Sequence, residues 1–289
     1  MSIDVVQAVR DGKGKFEWKE VLSEHNGYQL YISVFRDAMK FDAIPAMQWD
    51  WDPIATNHPD FGQTYDGVRL PATAHQLQEI ADLVNGMLMT PRVIDLVWLQ
   101  ADLKFDAAVN TAHPTIPKKR VIVATSDIQR VHMAIEAKIA KAGGDDGTKL
   151  ISCVGKYWCL IQQLANKGML HGDWTSCNYG WFAKKASGPG LTKGTSCYQR
   201  PGYRHNKRHW DPSQTIRLMY QWGRLIHPDG TESHVFLPDL MCNLDQAGLV
   251  THDGKALTYI RQKGVDQLDP LGTITLPEVT IVGGSGDVA

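Results

Sequence analysis

A regular alternation of side chains begins just after Pro212 and restricts what this part of the chain can form. In residues 216–222 (IRLMYQW), every second side chain is aliphatic or aromatic, which is the pattern of a strand with one buried face. Residues 227–230 (HPDG) are a turn signal, and residues 234–237 are again typical of a strand. The sequence therefore predicts an antiparallel β-hairpin in the C-terminal half.

The N-terminal half combines one strand signal with helix signals. Residues 28–36 alternate like the predicted hairpin, whereas the apolar residues that follow Thr73 and Thr90 recur at helical spacing. Both threonines are suited to cap a helix, and Pro91 is suited to the first helical position. Because only residues 86–89 separate these two helices, we expect them to form a helical hairpin.

A third helix is predicted to begin near Ser126 and to end at the Gly143-Gly144 pair. The whole pattern indicates an α+β fold, with the helical hairpin and this helix in the N-terminal half and a mainly antiparallel sheet in the C-terminal half. We expect a helix-rich half over residues 1–147, a sheet-rich half with the candidate site over 148–270, and a partly disordered tail over 271–289. The first half lacks enough strands to close its own sheet, so we expect the two halves to share one core.

Composition excludes several classes of protein. The net charge is −1 and 43% of residues are hydrophobic, which is unlike a disordered chain and gives no long-range attraction to nucleic acid. No apolar run approaches the roughly 18 residues of a membrane span, so no membrane partner is expected. No secretory signal is visible, which favours the cytoplasm by default and leaves signal-independent export open. The oligomeric state is not predicted.

The densest polar segment is residues 204–214 (RHNKRHWDPSQ), directly before the predicted hairpin. If this segment were helical, His205 and His209 would share one face and, with Asp211, would make a zinc site. The neighbouring Arg and Lys side chains oppose a divalent cation, and none of the five cysteines forms a CxxC pair. We therefore favour no cofactor, with zinc as the alternative.

A second interpretation is nucleophilic catalysis. Cys177 would be the nucleophile, His209 its base, and Asp211 or Gln214 the orienting or oxyanion-binding group, with Ser213 as the alternative nucleophile. The segment around Cys177 (TSCNYGWF) resembles the nucleophile stretch of papain-like cell-wall amidases such as the CHAP family. That resemblance implies an amide-bond hydrolase acting on peptide or cell-wall (peptidoglycan) material of bacterial or phage origin. The segment TSCYQR resembles part of the L,D-transpeptidase signature, with Ser196 in place of its glycine.

Two further hypotheses remain open beside an ordinary solvated turn. Aromatic and basic side chains are concentrated in this region, so the protein would bind a glycan, a peptide or another small acidic ligand without catalysis. A structural or virion-type component is the other alternative. A long loop over residues 44–71 would cover the site. The predicted ligand-binding residues are Trp174, Tyr179, Trp181, Arg204, Trp210 and Gln214.

Overall fold

The computed structural model describes residues 4–45, 64–65, 67–107, 125–169, 175–182, 197–209, 212–252 and 254–271. Helices and antiparallel strands are mixed along these ranges, which confirms the α+β class. Strands occur in both halves of the chain, so the structure does not clearly separate a helix-rich half from a sheet-rich half. The described helices are α1 (Val5–Arg10), α2 (Ala74–Leu83), α3 (Pro91–Gln100), α4 (Thr125–Lys141), α5 (Gln162–Asn166) and α6 (Leu237–Cys242).

The described strands are numbered in chain order. They are β1 (Gly14–Lys15), β2 (Trp18–His25), β3 (Tyr28–Phe35), β4 (Lys40–Phe41), β5 (Ile44–Pro45), β6 (Thr64–Tyr65), β7 (Val68–Arg69), β8 (Gly86–Met87), β9 (Lys156–Cys159), β10 (Ser176–Phe182), β11 (Cys197–His205), β12 (Met219–Ile226) and β13 (Glu232–Phe236).

The largest sheet joins strands from the two ends of the chain. Its order is β13–β12–β3–β2, and β8 adds to β12. The β2–β3 hairpin closes at Asn26-Gly27, where both residues have positive φ (49° and 81°), as a tight two-residue hairpin turn requires. The β12–β13 hairpin closes at residues 227–230, which confirms the hairpin predicted from the sequence. The other neighbour of β12 is β3, and the paired residues of these two strands lie 185 to 197 positions apart in the chain.

The predicted strand over residues 216–222 begins later than its alternation suggests, because β12 starts at Met219. The carbonyls of Ile216 and Leu218 still accept bonds from the backbone of the segment that contains and follows β3. Arg217, predicted on the polar side, is fully buried. Its guanidinium donates to the carbonyls of Phe35, Arg36 and Ile151 at 2.6–2.7 Å, so its burial is compensated by hydrogen bonds.

Helices α2 and α3 begin where their caps were predicted. Thr73 and Thr90 each accept a bond from a backbone N–H in the first turn. The expected helical hairpin is replaced by another arrangement, because Gly86–Met87 between the helices pairs with β12. α2 packs against α1 and β8, whereas α3 packs against β2 and β10.

Part of the predicted structure lies outside the described residues. This applies to most of the 44–71 loop and to nearly all of the 271–289 tail. Among the residues described, no helix has the length and apolar character needed to cross a membrane.

Candidate functional site

The three-stranded sheet β11–β10–β9 contains the region that the sequence singled out. In the β9–β10 pair, Cys177 is opposite Cys159 and Asn178 is opposite Trp158. Successive side chains of a strand point to opposite faces, so the cysteines lie on one face and Asn178 on the other. We call the face that contains Asn178 the polar face and the face that contains the cysteines the thiol face.

The polar face is deeply buried although it is hydrophilic. Ser176 and Asn178 of β10 are fully buried, and Lys156 of β9 is 8% exposed. Trp158 of β9 is on the same face, opposite Asn178. It donates its indole N–H to the carbonyl of Ala72 at 2.9 Å. Buried polar groups are costly unless they are hydrogen-bonded, so a layer of them needs an explanation.

Asn178 is the clearest anomaly on this face. Neither its amide nitrogen nor its amide oxygen has a hydrogen-bond partner within the described residues. The hydroxyl of Ser176 donates to Oε1 of Gln262 at 3.0 Å, while Nε2 of Gln262 is also without a partner there. Both amides therefore offer donors at the same buried face.

The predicted imidazoles reach the edge of the polar face. His205 is opposite Ser176 in the strand register. Its ring packs edge-on against the ring of Trp158, with the two centroids 6.2 Å apart. The rings of His205 and His209 are stacked, with centroids 4.2 Å apart and an interplanar angle of 7°. The structure therefore brings these two predicted residues together. Both are half-buried, so they lie at the margin of the buried layer.

Ser213 and Gln214 are also brought to this site. Both are buried, and Gln214 forms a parallel bridge with Lys156. The N–H of Lys156 donates to the carbonyl of Ser213 at 2.8 Å, and the carbonyl of Gln214 accepts from Ala72 at 3.0 Å. These backbone bonds fix the segment after Pro212 against β9 and against the start of α2.

Cys177 lies elsewhere, and the structure does not bring it to the imidazoles. It is fully buried on the thiol face, whereas His205 and His209 approach Trp158 on the polar face. The sheet itself separates the thiol from the predicted base. A Cys177–His209 pair needs both side chains on one face, whereas His209 stacks on His205, which contacts Trp158 of the polar face.

Tyr179 is likewise on the thiol face, so it does not join the predicted ligand-binding set. Its hydroxyl donates to Oδ1 of Asp95 at 2.6 Å, and Nε2 of His252 contacts the other oxygen of the same carboxylate. Asp95 is 2% exposed, and these bonds stabilise its burial. His252 lines a small cleft with Thr90, Leu160 and neighbouring residues.

The basic segment divides into one buried lysine and several exposed arginines. Lys207 is 2% exposed, and its Nζ donates to the carbonyl of Lys263 at 2.6 Å. Arg200, Arg204 and Arg208 are exposed, and they lie on β11 or in the turn that follows it.

Four predicted residues remain, and the structure describes one of them, Trp181. Trp181 is half-buried with a positive φ of 68°, and its indole nitrogen has no partner within the described residues. Trp174, Trp210 and Asp211 lie outside the described residues. The zinc alternative required Asp211, and the described part of the chain contains no group of three His, Cys, Asp or Glu side chains that would hold a metal ion.

No family model matches the chain, and no curated protein or solved structure matches it either.

Sequence reasoning missed the residues that make the polar face distinctive. Ser176 and Asn178 alternate with Cys177 and Tyr179 in the β10 sequence, which is a readable strand signal. The polar residues on either side of Cys177 belong to the face opposite the thiol, and no motif marks them as a site. Gln262 carried no signal, because its place beside Ser176 depends on a segment more than 80 residues away.

Proposed function

We propose that the polar face of the β9–β10–β11 sheet binds a small acidic ligand that carries an amide, such as a peptide fragment with a free carboxylate. The observation that carries this proposal is the fully buried Asn178 amide, which has no partner within the described residues. An amide of this kind destabilises the fold by about 1–3 kcal/mol unless something bonds to it. A ligand amide would satisfy both its donor and its acceptor.

The acidic character is inferred from the charges around the site. Lys156 is buried on the polar face, Lys207 is buried against the carbonyl of Lys263, and three exposed arginines lie on β11 or just after it. A carboxylate or phosphate forms its strongest hydrogen bonds with cationic donors. The same surroundings would attract such a ligand even though the whole chain is nearly neutral.

Titration with N-acetylglycine, followed by protein-detected NMR, tests the proposal. This probe carries one amide and one carboxylate, and we expect binding in the millimolar range because it is small. Asn178→Leu should weaken that binding at least tenfold. The same substitution should raise the free energy of unfolding by about 1 kcal/mol, because it removes an unsatisfied buried amide.

Cys177→Ala is the matched control, since it changes the adjacent residue on the other face of the same strand. It should leave N-acetylglycine affinity within twofold of the wild type. Equal affinity of the wild type and Asn178→Leu for the probe, or no binding by the folded wild type, would contradict the proposal. Inorganic phosphate and N-methylacetamide, titrated separately, show whether the charge or the amide dominates.

Amide-bond hydrolysis at the same site is the second candidate function. It is favoured by one observation, the stacked imidazoles of His205 and His209 at the edge of the polar face. In that case His209 would act as the base, and Ser213, which is held beside Lys156, would act as the nucleophile. Cys177 has no role in this version, because the sheet separates it from the imidazoles.

Release of p-nitroaniline from peptide anilides tests hydrolysis. We expect Ser213→Ala and His209→Gln each to reduce the rate at least a hundredfold, and Cys177→Ala to leave it unchanged. Loss of activity in a folded Cys177→Ala variant, together with inhibition of the wild type by a thiol-alkylating reagent, would restore the cysteine mechanism and refute this one. If the wild type binds N-acetylglycine but cleaves no anilide, the site is a binding site alone.

A further inference from the structure

Two thiols face each other on the thiol face of the three-stranded sheet. Cys159 of β9 and Cys177 of β10 are directly opposite in an antiparallel pair, and both are fully buried. Opposite residues in such a pair have Cα atoms about 4.5–5.5 Å apart, within the roughly 4.4–6.8 Å that a disulfide spans. The strand register alone thus sets a geometry that a disulfide requires.

The two thiols interact with each other on the buried thiol face. Burial, followed by a hydrogen bond with Cys177 and the nearby charges of Cys177 and Asp95, raises the pKa of Cys159. Cys153 is also buried, but it points elsewhere and donates to the carbonyl of Phe182 at 3.2 Å. Cys242 is exposed on α6.

We propose that Cys159 and Cys177 are a dithiol site that forms an intrachain disulfide by exchange with a low-molecular-weight disulfide such as glutathione disulfide. One cysteine, as its thiolate, attacks the glutathione disulfide, whose S–S bond breaks and releases one glutathione thiol. The second cysteine thiolate then attacks the mixed disulfide and releases the other glutathione. The two thiol protons end on the two glutathiones, and the pair of electrons reduces the oxidant.

The burial of the pair determines when the exchange occurs. Only a thiolate attacks, and a fully buried thiol with a raised pKa is rarely a thiolate in contact with oxidant. The exchange therefore proceeds when β9 and β10 separate transiently or while the chain is folding. Once formed, the disulfide links the two strands and stabilises the closed sheet.

The experiment compares oxidation with alkylation of the same folded, reduced chain at pH 8. One sample is incubated with iodoacetamide until Cys159 and Cys177 are labelled, which measures how long the sheet takes to open. A parallel sample is incubated for that time in a glutathione redox buffer and then mapped by peptide mass spectrometry. We expect a 159–177 disulfide-linked peptide, a loss of two hydrogen masses and a melting temperature higher by roughly 5 °C.

Variants separate this pair from the other cysteines. Cys153→Ala should keep the mass loss and the disulfide-linked peptide, whereas Cys159→Ala should abolish both. The peptide map of the wild type does not depend on whether Cys159→Ala folds. The proposal is overturned if both thiols remain free in the redox buffer over the time in which iodoacetamide labels them. It is equally overturned if the linked peptide joins other cysteines.

Discussion

At the residue scale, the buried carboxylate of Asp95 shows how one side chain depends on its partners. Asp95 is 2% exposed, and the hydroxyl of Tyr179 donates to it at 2.6 Å while His252 contacts its other oxygen. A buried carboxylate that loses a hydrogen-bond donor keeps its desolvation cost without the bond that offset it. The hydroxyl of Tyr179 therefore stabilises the fold far more than an exposed hydroxyl would.

Tyr179→Phe tests this dependence. We expect it to reduce the free energy of unfolding by about 2 kcal/mol, because it removes the short hydrogen bond to the buried carboxylate of Asp95. Urea denaturation monitored by tryptophan fluorescence measures the loss. Tyr220→Phe, at a half-buried tyrosine of β12, is the control and should change stability by less than about 0.5 kcal/mol. A similar loss in both variants would show that the Asp95 contact contributes nothing special.

At the element scale, the helix starts were predictable because their signals are local. The hydroxyl of Thr73 accepts from the N–H of Gln76 at 3.0 Å, and Oε1 of Gln76 accepts from the N–H of Thr73 at 3.1 Å. This reciprocal pair satisfies two N–H groups that have no partner inside the helix. The strand partners were not predictable in the same way, since β12 pairs with β3 across most of the chain.

Thr73→Ala should destabilise the protein by about 1 kcal/mol, because α2 loses its cap. Gln76→Ala should cost less, and the double variant should cost less than the sum of the two, because each residue completes the bonding of the other. Chemical denaturation of the wild type and the three variants measures this coupling. Strictly additive losses would show that the two bonds are independent.

At the scale of the whole molecule, a buried ionic cluster joins α4 to the strands around it. Arg69 of β7 is 2% exposed, and its guanidinium donates to Asp37 at 2.9 Å and to Glu136 of α4 at 2.6 Å. Burial alone would raise the pKa of Asp37, but the charge and hydrogen bonds of Arg69 outweigh it and lower that pKa. The stability from this pair is therefore present above the usual pKa of an aspartate and is lost as the pH falls through the lowered value.

His132 contacts Arg69 of the same cluster, and it makes the stability of the protein depend on pH in the mildly acidic range. Burial, with the charge of Arg69 next to it, lowers the pKa of His132 from 6.5 to about 4. A lowered pKa means that the unfolded chain binds the proton first, so stability falls as the pH decreases from 6.5 towards 4. The expected loss from this residue is about 2 kcal/mol, after allowance for its partial exposure to solvent.

Urea titrations between pH 7 and pH 4.5 check this expectation. His132→Gln removes the titrating group and should flatten the dependence of unfolding free energy on pH over that range. His234→Gln, at an exposed histidine of β13, should keep the slope of the wild type. An unchanged slope in His132→Gln would show that His132 is not the group that couples stability to mild acid.

The sequence by itself determined the helix caps at Thr73 and Thr90, the stop at Gly143-Gly144 and the turn over residues 227–230. These features depend on bonds between neighbours within a few residues. Only the tertiary structure decided that Arg217 is buried against distant carbonyls, and which residues surround the side chains of Asn178 and Cys177. Alternation states that two adjacent residues point apart, but what each one meets is set by segments from far along the chain. Because of that long-range packing, the structure favours a site on the polar face, whereas the sequence favoured a site at Cys177.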